Sequence, residues 1–149
     1  MGILMLAEPK GTRSHALIMH VRCIHLDWQV AFAAQIFHAL SPVLSVVERL
    51  YLAIHQVSSL SSEEHHDVDR TLWRTILRSF SNVKVLCTGN SLVGYLSRSL
   101  QFDDGEVSLE LLPELEELSY SASGDTGDAF TSFIDARRIA GRPVTLIRI

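Results

Sequence analysis

The stretch Leu44-Ser45-Val46-Val47-Glu48-Arg49-Leu50-Tyr51-Leu52 carries the pattern from which the fold can be predicted. Its apolar residues Leu44, Val47, Leu50 and Leu52 are separated by two residues, two residues and one residue. The same repeat motif can be aligned at four further places, and only Thr88 and Gly141 among its positions are not apolar. The other copies are Ile18-Val21-Ile24-Leu26, Phe80-Val83-Leu86-Thr88, Leu112-Leu115-Leu118-Tyr120 and Gly141-Val144-Ile147-Ile149.

A motif that returns every few dozen residues is typical of a solenoid, in which one short strand per repeat stacks on the next. The segments between the copies carry apolar residues at helical spacing, and strands joined by a crossover helix pair in parallel. These helical patterns cover residues 30–40, 72–80, 92–100 and 129–137. The sequence therefore predicts an α/β fold, a leucine-rich-repeat-like β-α solenoid with about five parallel strands in sequential order and helices on the convex side.

The length of 149 residues corresponds to one domain. We expect residues 1–14, which contain no copy of the motif, to form a flexible lead-in, and residues 15–149 to form a single solenoid domain. The last copy ends at Ile149 and no polar capping repeat follows it. Because solenoids need capped ends, we expect the chain to be a fragment of a longer array.

Composition and charge exclude several classes of function. The net charge of −4 does not favour a nucleic-acid partner. Cys23 and Cys87 have no Cys-x-x-Cys spacing, so neither a disulfide framework nor a zinc motif is indicated. The chain shows no signal peptide and no apolar run long enough to cross a membrane. These features predict a cytoplasmic or nuclear protein that binds neither nucleic acid nor membrane.

Ser91 lies between a predicted strand and a predicted helix, where a hydrolase would place its nucleophile. The hydrolase motif Gly-x-Ser-x-Gly needs a second glycine, but Val93 stands in its place. No histidine follows Ser91 in the chain, so a triad in the required order is absent. We interpret Ser91 as the N-cap of a helix and predict no catalytic residue.

Two further segments resemble ligand sites only weakly. Gly124-Asp125-Thr126-Gly127-Asp128 sits where backbone N–H groups bind phosphate, but it lacks the P-loop lysine and its two aspartates would repel a phosphate. His65-His66, beside acidic residues, lack a suitably spaced third ligand for a metal. We therefore predict neither a cofactor nor a metal.

The repeat geometry predicts one binding surface. Motif residues point into the core, and the residues between them lie on the concave face of the sheet. One predicted row contains His25, Tyr51, Cys87, Ser119 and Arg148, and a neighbouring row contains Cys23, Arg49, Val85, Glu117 and Leu146. Tyrosine and arginine often anchor protein partners. We expect a protein partner to contact His25, Arg49, Tyr51, Cys87, Glu117, Ser119 and Arg148.

From Leu72 to Ile149 the chain resembles the C-terminal part of the F-box and leucine-rich-repeat-like proteins that are abundant in mushroom-forming fungi. The segments that carry the resemblance are Trp73-Arg74, Phe80 to Lys84, Leu111 to Tyr120, Gly124 to Phe130, Phe133 to Arg137 and Gly141 to Val144. The resemblance implies that the repeats select a substrate for ubiquitination while an N-terminal F-box binds the ligase adaptor. Met1 to Arg13 is too short for that module, so an adaptor is expected as a partner only if an F-box is present elsewhere.

Two hypotheses of function follow from the sequence. The first is a non-enzymatic protein-interaction module, with substrate recognition for an F-box-type ubiquitin ligase as its specific form. The alternative is a small doubly wound α/β enzyme or nucleotide-binding domain, with its site at the strand C-termini near Ser91 and Gly124. The order of the strands discriminates between them, because it is sequential in a solenoid and reverses at a switch point in a doubly wound sheet.

Overall fold

The computed structural model describes residues 2–9, 17–22, 26–55, 70–101, 111–121 and 128–149, which form six strands and four α-helices. A single turn of 3₁₀ helix, Asn90–Leu92, precedes α3. The elements in chain order are β1 Gly2–Pro9, β2 Leu17–Arg22, α1 Leu26–Leu44, β3 Val47–His55, α2 Arg70–Arg78, β4 Val85–Thr88, α3 Val93–Leu100, β5 Glu117–Tyr120, α4 Thr131–Ile139 and β6 Thr145–Arg148.

The six strands form one sheet in the order β2-β1-β3-β4-β5-β6. Strands β3 to β6 are parallel and lie in chain order, while β1 is antiparallel to both of its neighbours. Because β2 and β3 are each antiparallel to β1, they point in the same direction. The predicted α/β class is therefore confirmed, with four parallel strands in sequential order.

The N-terminal part of the sheet differs from the prediction. The first copy of the motif overlaps β2, which points the expected way but does not pair with β3. Strand β1 lies between them, so the prediction of five adjacent parallel strands is wrong at this place. Residues Gly2–Pro9, expected to belong to a flexible lead-in, form this strand. Their nearly unbroken apolar run from Ile3 to Ala7 was the available signal, since such runs are typical of buried strands.

Leucines in matching positions form the inner face of the parallel strands. Leu50 pairs in register with Leu86, Leu86 with Leu118, and Leu118 with Leu146. The first three are completely buried, and Leu146 packs against the same core. This core also contains side chains of all four helices, such as Val30, Ile76, Leu96 and Phe133. The helices therefore cover one face of the parallel strands.

The alignment of β6 with β5 that the sequence pattern predicts differs from the observed register by one residue. The sequence pattern places Ile147 in the core beside Leu118, but the structure pairs Leu118 with Leu146. Side chains alternate between the two faces of a strand, so this shift moves every residue of β6 to the other face. Leu146 and Arg148 consequently lie on the helix-covered side, and Thr145 and Ile147 lie on the opposite side.

Local turns and backbone hydrogen bonds define the ends of the helices. Gly141 follows α4 with a φ of 74°, and the Arg142 N–H donates to the Arg137 carbonyl at 2.9 Å, so α4 ends in a Schellman motif. Pro42 lies inside the last turn of α1. Ser91 is not an N-cap, because it lies within the 3₁₀ turn and the helix is preceded by Leu92.

Substituting Leu118→Ala should lower the free energy of unfolding by about 2–5 kcal/mol, because it removes buried methyl groups and leaves a cavity in the leucine row. Ile139→Ala is the matched control, since Ile139 is 88% exposed and its loss should change stability by less than about 0.5 kcal/mol. Urea denaturation followed by circular dichroism measures both values. Equal stability of the two variants would contradict the described core.

Candidate functional site

The side of the parallel strands away from the helices presents two rows of side chains, which we call the open face. The rows follow directly from the strand register. They consist of Arg49, Val85, Glu117 and Thr145, and of Tyr51, Cys87, Ser119 and Ile147. No hydrophobic member of either row belongs to the core cluster or packs against it. The alternation of each strand thus separates a helix-covered apolar face from a mixed polar face.

The open face contains five of the seven residues predicted to bind a partner, and its centre is formed by Tyr51, Cys87 and Ser119. Arg49 and Glu117 lie in the neighbouring row. Arg148 was assigned to this face wrongly, because it lies opposite Tyr120 on the helix-covered side. His25 and Cys23 lie outside the described residues.

The other residues of the two predicted rows were also placed correctly in one case and wrongly in another. Val85 is on the open face as predicted, whereas Leu146 packs against the core. Thr145 and Ile147 belong to the open face but were missed, because the predicted frame of β6 put them on the wrong side. No residue-level signal in the short strand Thr145–Arg148 distinguishes the two frames, since each places an isoleucine or leucine inward.

The central side chains of the open face are linked by polar contacts within β5 and between neighbouring strands. The Ser119 hydroxyl donates a hydrogen bond to Oε1 of Glu117 at 2.9 Å. The side chains of Ser119 and Tyr51 are also within hydrogen-bonding reach of the Cys87 sulfur. Arg49 and Glu117 are close enough to act electrostatically on the same thiol. Three neighbouring strands therefore contribute to one contiguous polar cluster.

The environment of Cys87 keeps its thiol protonated. Burial raises the pKa of the Cys87 thiol above its ordinary value, and the Glu117 carboxylate acts in the same direction. Hydrogen bonds with Ser119 and Tyr51 and the positive charge of Arg49 oppose this rise without cancelling it. Because the thiolate is the reactive form of cysteine, Cys87 is poorly suited to act as a nucleophile at neutral pH.

Arg137 of α4 supports the turn that leads into β5. Its side chain is completely buried, and Nη2 donates to the carbonyl oxygens of Pro113 at 3.0 Å and Leu115 at 3.1 Å. Leu112, in the same turn, has a φ of 49°, a strained conformation for a residue with a Cβ. The two hydrogen bonds therefore help to hold the strained backbone that positions Glu117 and Ser119.

The structure does not strengthen the other candidate sites that the sequence suggested. Ser91 is exposed in the 3₁₀ turn, and both Gly124 and His65-His66 lie outside the described residues. Within the described ranges, His, Cys, Asp and Glu side chains form no cluster of three that would bind a metal ion. None of the helices in the described part of the chain has the length and apolar character needed to cross a bilayer.

Comparisons with models of protein families, with curated proteins and with solved structures found no match to this chain. The function is accordingly argued from the geometry of the open face.

The raised pKa of Cys87 should be visible in its alkylation by iodoacetamide. In a Cys23→Ser variant Cys87 is the only thiol. The rate of alkylation should then increase with pH through an inflection that lies above that of an unfolded peptide containing the same cysteine, because burial disfavours the thiolate. An inflection at or below that of the peptide would contradict the described environment.

The same shift links Cys87 to stability at alkaline pH. A pKa that is raised in the folded state leaves stability intact below the unfolded pKa and reduces it as the pH rises towards the folded pKa. Between neutral pH and a pH above the unfolded pKa, Cys23→Ser should therefore lose more stability than Cys23→Ser with Cys87→Ala. Urea midpoints at the two pH values measure the difference, and equal losses would contradict the shift.

Arg137→Met should reduce the free energy of unfolding by about 1–3 kcal/mol, because the carbonyls of Pro113 and Leu115 lose their buried donor. The neighbouring Arg138→Met is the control. Within the described residues, Arg138 forms an exposed ion pair with Asp135 at 2.9 Å, and such pairs contribute little. Denaturation measures both variants, and a larger loss in Arg138→Met would contradict the role of Arg137.

Proposed function

We propose that this chain is a non-enzymatic protein-interaction module that binds a protein partner through the open face. The observation that carries the proposal is the in-register placement of Arg49, Tyr51, Cys87 and Glu117 on one face of three adjacent parallel strands, around the buried Ser119. These side chains lie outside the apolar core and include an arginine and a tyrosine, two residue types that dominate the energetics of protein interfaces.

We further propose that the parallel part of the chain is a leucine-rich-repeat-like solenoid. The sequential order of β3 to β6 supports this, as does the presence of all four helices in one core on one side of these strands. Right-handed crossovers between strands in chain order place their helices on the same face. The order also weighs against the doubly wound alternative, because no switch point occurs between β3 and β6.

The mechanism would be rigid display. Neighbouring strands are about 4.8 Å apart, so Arg49 on β3 and Glu117 on β5 are separated by roughly 10 Å across the sheet. A partner that places an acidic and a basic side chain at this distance would match both charges. Tyr51, in the row next to these two charges, would supply the apolar contact area.

The resemblance to F-box and leucine-rich-repeat-like proteins suggests a specific form of this function. In that form the partner is a substrate of a ubiquitin ligase, and the open face selects it. The polar cluster around Cys87 supports recognition rather than chemistry, because its thiol is held in the protonated form.

A photo-activated cross-linking residue at position 51 tests the proposal directly. In an extract of the native cell, this variant should form a covalent adduct with one defined protein. The same residue at position 139, exposed on α4, should not capture that protein. Capture of the same proteins from both positions, or of none from position 51, would contradict binding through the open face.

Charge reversal then tests the mechanism with the identified protein in purified form. Arg49→Glu and Glu117→Lys should each weaken binding at least about tenfold, since each puts a like charge against the partner. Arg138→Glu on α4 is the control and should leave the affinity unchanged, because Arg138 lies on the helix side. Isothermal titration calorimetry measures the three dissociation constants. Unchanged binding by both open-face variants would overturn the proposed charge match.

A further inference from the structure

Helix α1 has a second apolar stripe that does not contact the core. Its inner side buries Val30, Ala33, Ala34, Phe37 and Leu44. A different side carries Phe32, Ile36, Leu40 and Val43, which follow one another at intervals of four, four and three residues. Such intervals place residues on one face of a helix. Phe32 is 55% exposed and Val43 62% exposed, so this stripe, which we call the α1 stripe, faces outward.

The exposed apolar surface is concentrated on this helix. Among the described residues, the large hydrophobic side chains that are exposed are Phe32, Leu40, Val43, Val46, Ile139 and Ile149. Four of these six lie on α1 or in the turn directly after it. The other two are isolated, at the end of α4 and at Ile149. A contiguous apolar patch, unlike scattered exposed residues, marks an interaction surface.

The helix also lacks the charges that a solvated helix surface normally carries. No Asp, Glu, Lys or Arg occurs between Trp28 and Val47. The other three helices each contain at least one arginine, for example Arg78 in α2 and Arg98 in α3. The sequence of α1 therefore suits a helix that is covered on two sides rather than one.

We propose that the α1 stripe is covered by the α1 stripe of a second copy of this chain. In a two-fold symmetric contact the same surface patch lies on both sides, so any charge near the axis meets a like charge. A stripe without charges avoids this repulsion. Ala39, on the rim of the stripe, has a small side chain that lets two helix axes approach closely.

The other kinds of occupant agree less well with these residues. Helices that bind a membrane surface carry basic residues around their apolar face, but α1 has none and the chain has a net charge of −4. A rim without charges offers a different protein only apolar contacts, which discriminate weakly between partners. A second copy needs no such selection, because the stripe is complementary to itself in charge.

The size of the stripe determines the strength of the dimer. Phe32 and Val43 are about 17 Å apart along the helix axis. A contact of this length is smaller than the roughly 800 Å² per partner that stable complexes bury. The dimer should therefore be reversible, with a dissociation constant on the order of 100 µM. It would leave the open face accessible, because the helices lie on the other side of the sheet, so it does not depend on the proposed function.

Sedimentation velocity of the full chain between about 10 µM and about 1 mM tests the proposal. The weight-average sedimentation coefficient should rise from monomer to dimer across this range. Phe32→Gln combined with Val43→Gln should shift the midpoint at least about tenfold, because it places polar groups in the contact. Ile139→Gln is the matched control and should leave the midpoint unchanged. A monomer at all concentrations, or association that the double variant does not weaken, would overturn the proposal.

A second experiment identifies the surface that is in contact. In a background of Cys23→Ser and Cys87→Ser, Ile36→Cys should give a covalent dimer with a short bismaleimide, and Ala140→Cys should not. Cross-linking from Ala140→Cys alone would place the contact elsewhere and contradict the proposal. Binding of the monomeric chain, but not of the double variant, to phosphatidylcholine vesicles would also contradict the proposal, because a membrane would then cover the α1 stripe.

Discussion

The parallel sheet depends on the row of leucines formed by Leu50, Leu86, Leu118 and Leu146. Each strand contributes one of these side chains at the same level, and the first three are completely buried beneath the helices. A shift of one residue in any strand would expose its leucine and bury its neighbour, so burial fixes the register. Backbone hydrogen bonds at both ends of the strands, between 2.8 and 3.1 Å, satisfy the same register.

The register in turn decides which side chains occur together on the open face. Tyr51, Cys87 and Ser119 are far apart in sequence and become neighbours only because their strands pair at matched positions. Their proximity produces the polar cluster, while burial raises the pKa of the Cys87 thiol. Arg137 extends this dependence to α4, since it holds the turn from which β5 starts. The apolar core and the open face are thus two consequences of one alignment.

The sequence predicts the fold well where the strands are central and less well at the margins of the sheet. Motif positions in β3, β4 and β5 are buried almost completely, so hydrophobic spacing identifies both the strands and their faces. Strand β6 pairs on one side only with β5, and its side chains are partly or largely exposed. Burial therefore constrains its sequence weakly, and two frames fit the motif. Strand β1 was missed because it is not part of a repeat.

Local exceptions are harder to predict, because tertiary contacts determine them. Pro42 lies in the last turn of α1, where its missing N–H removes one helical hydrogen bond. Leu112 has a positive φ and the side chain of Arg137 is buried, and neither feature is visible in the sequence. Five residues of the candidate site were predicted because central strands carry them. The prediction for Arg148 was wrong because the face on which it lies depends on the register of β6.

The most direct test of this account is the register of β5 and β6 in solution, measured by NMR through scalar couplings across hydrogen bonds. The structure predicts couplings from the Thr145 amide nitrogen to the Glu116 carbonyl carbon and from Ile149 to Tyr120. These would place Ser119 beside Ile147 on the open face. A coupling to Glu116 from Leu146 instead of Thr145 would contradict the account, because it would move Arg148 to the open face and Leu146 out of the leucine row.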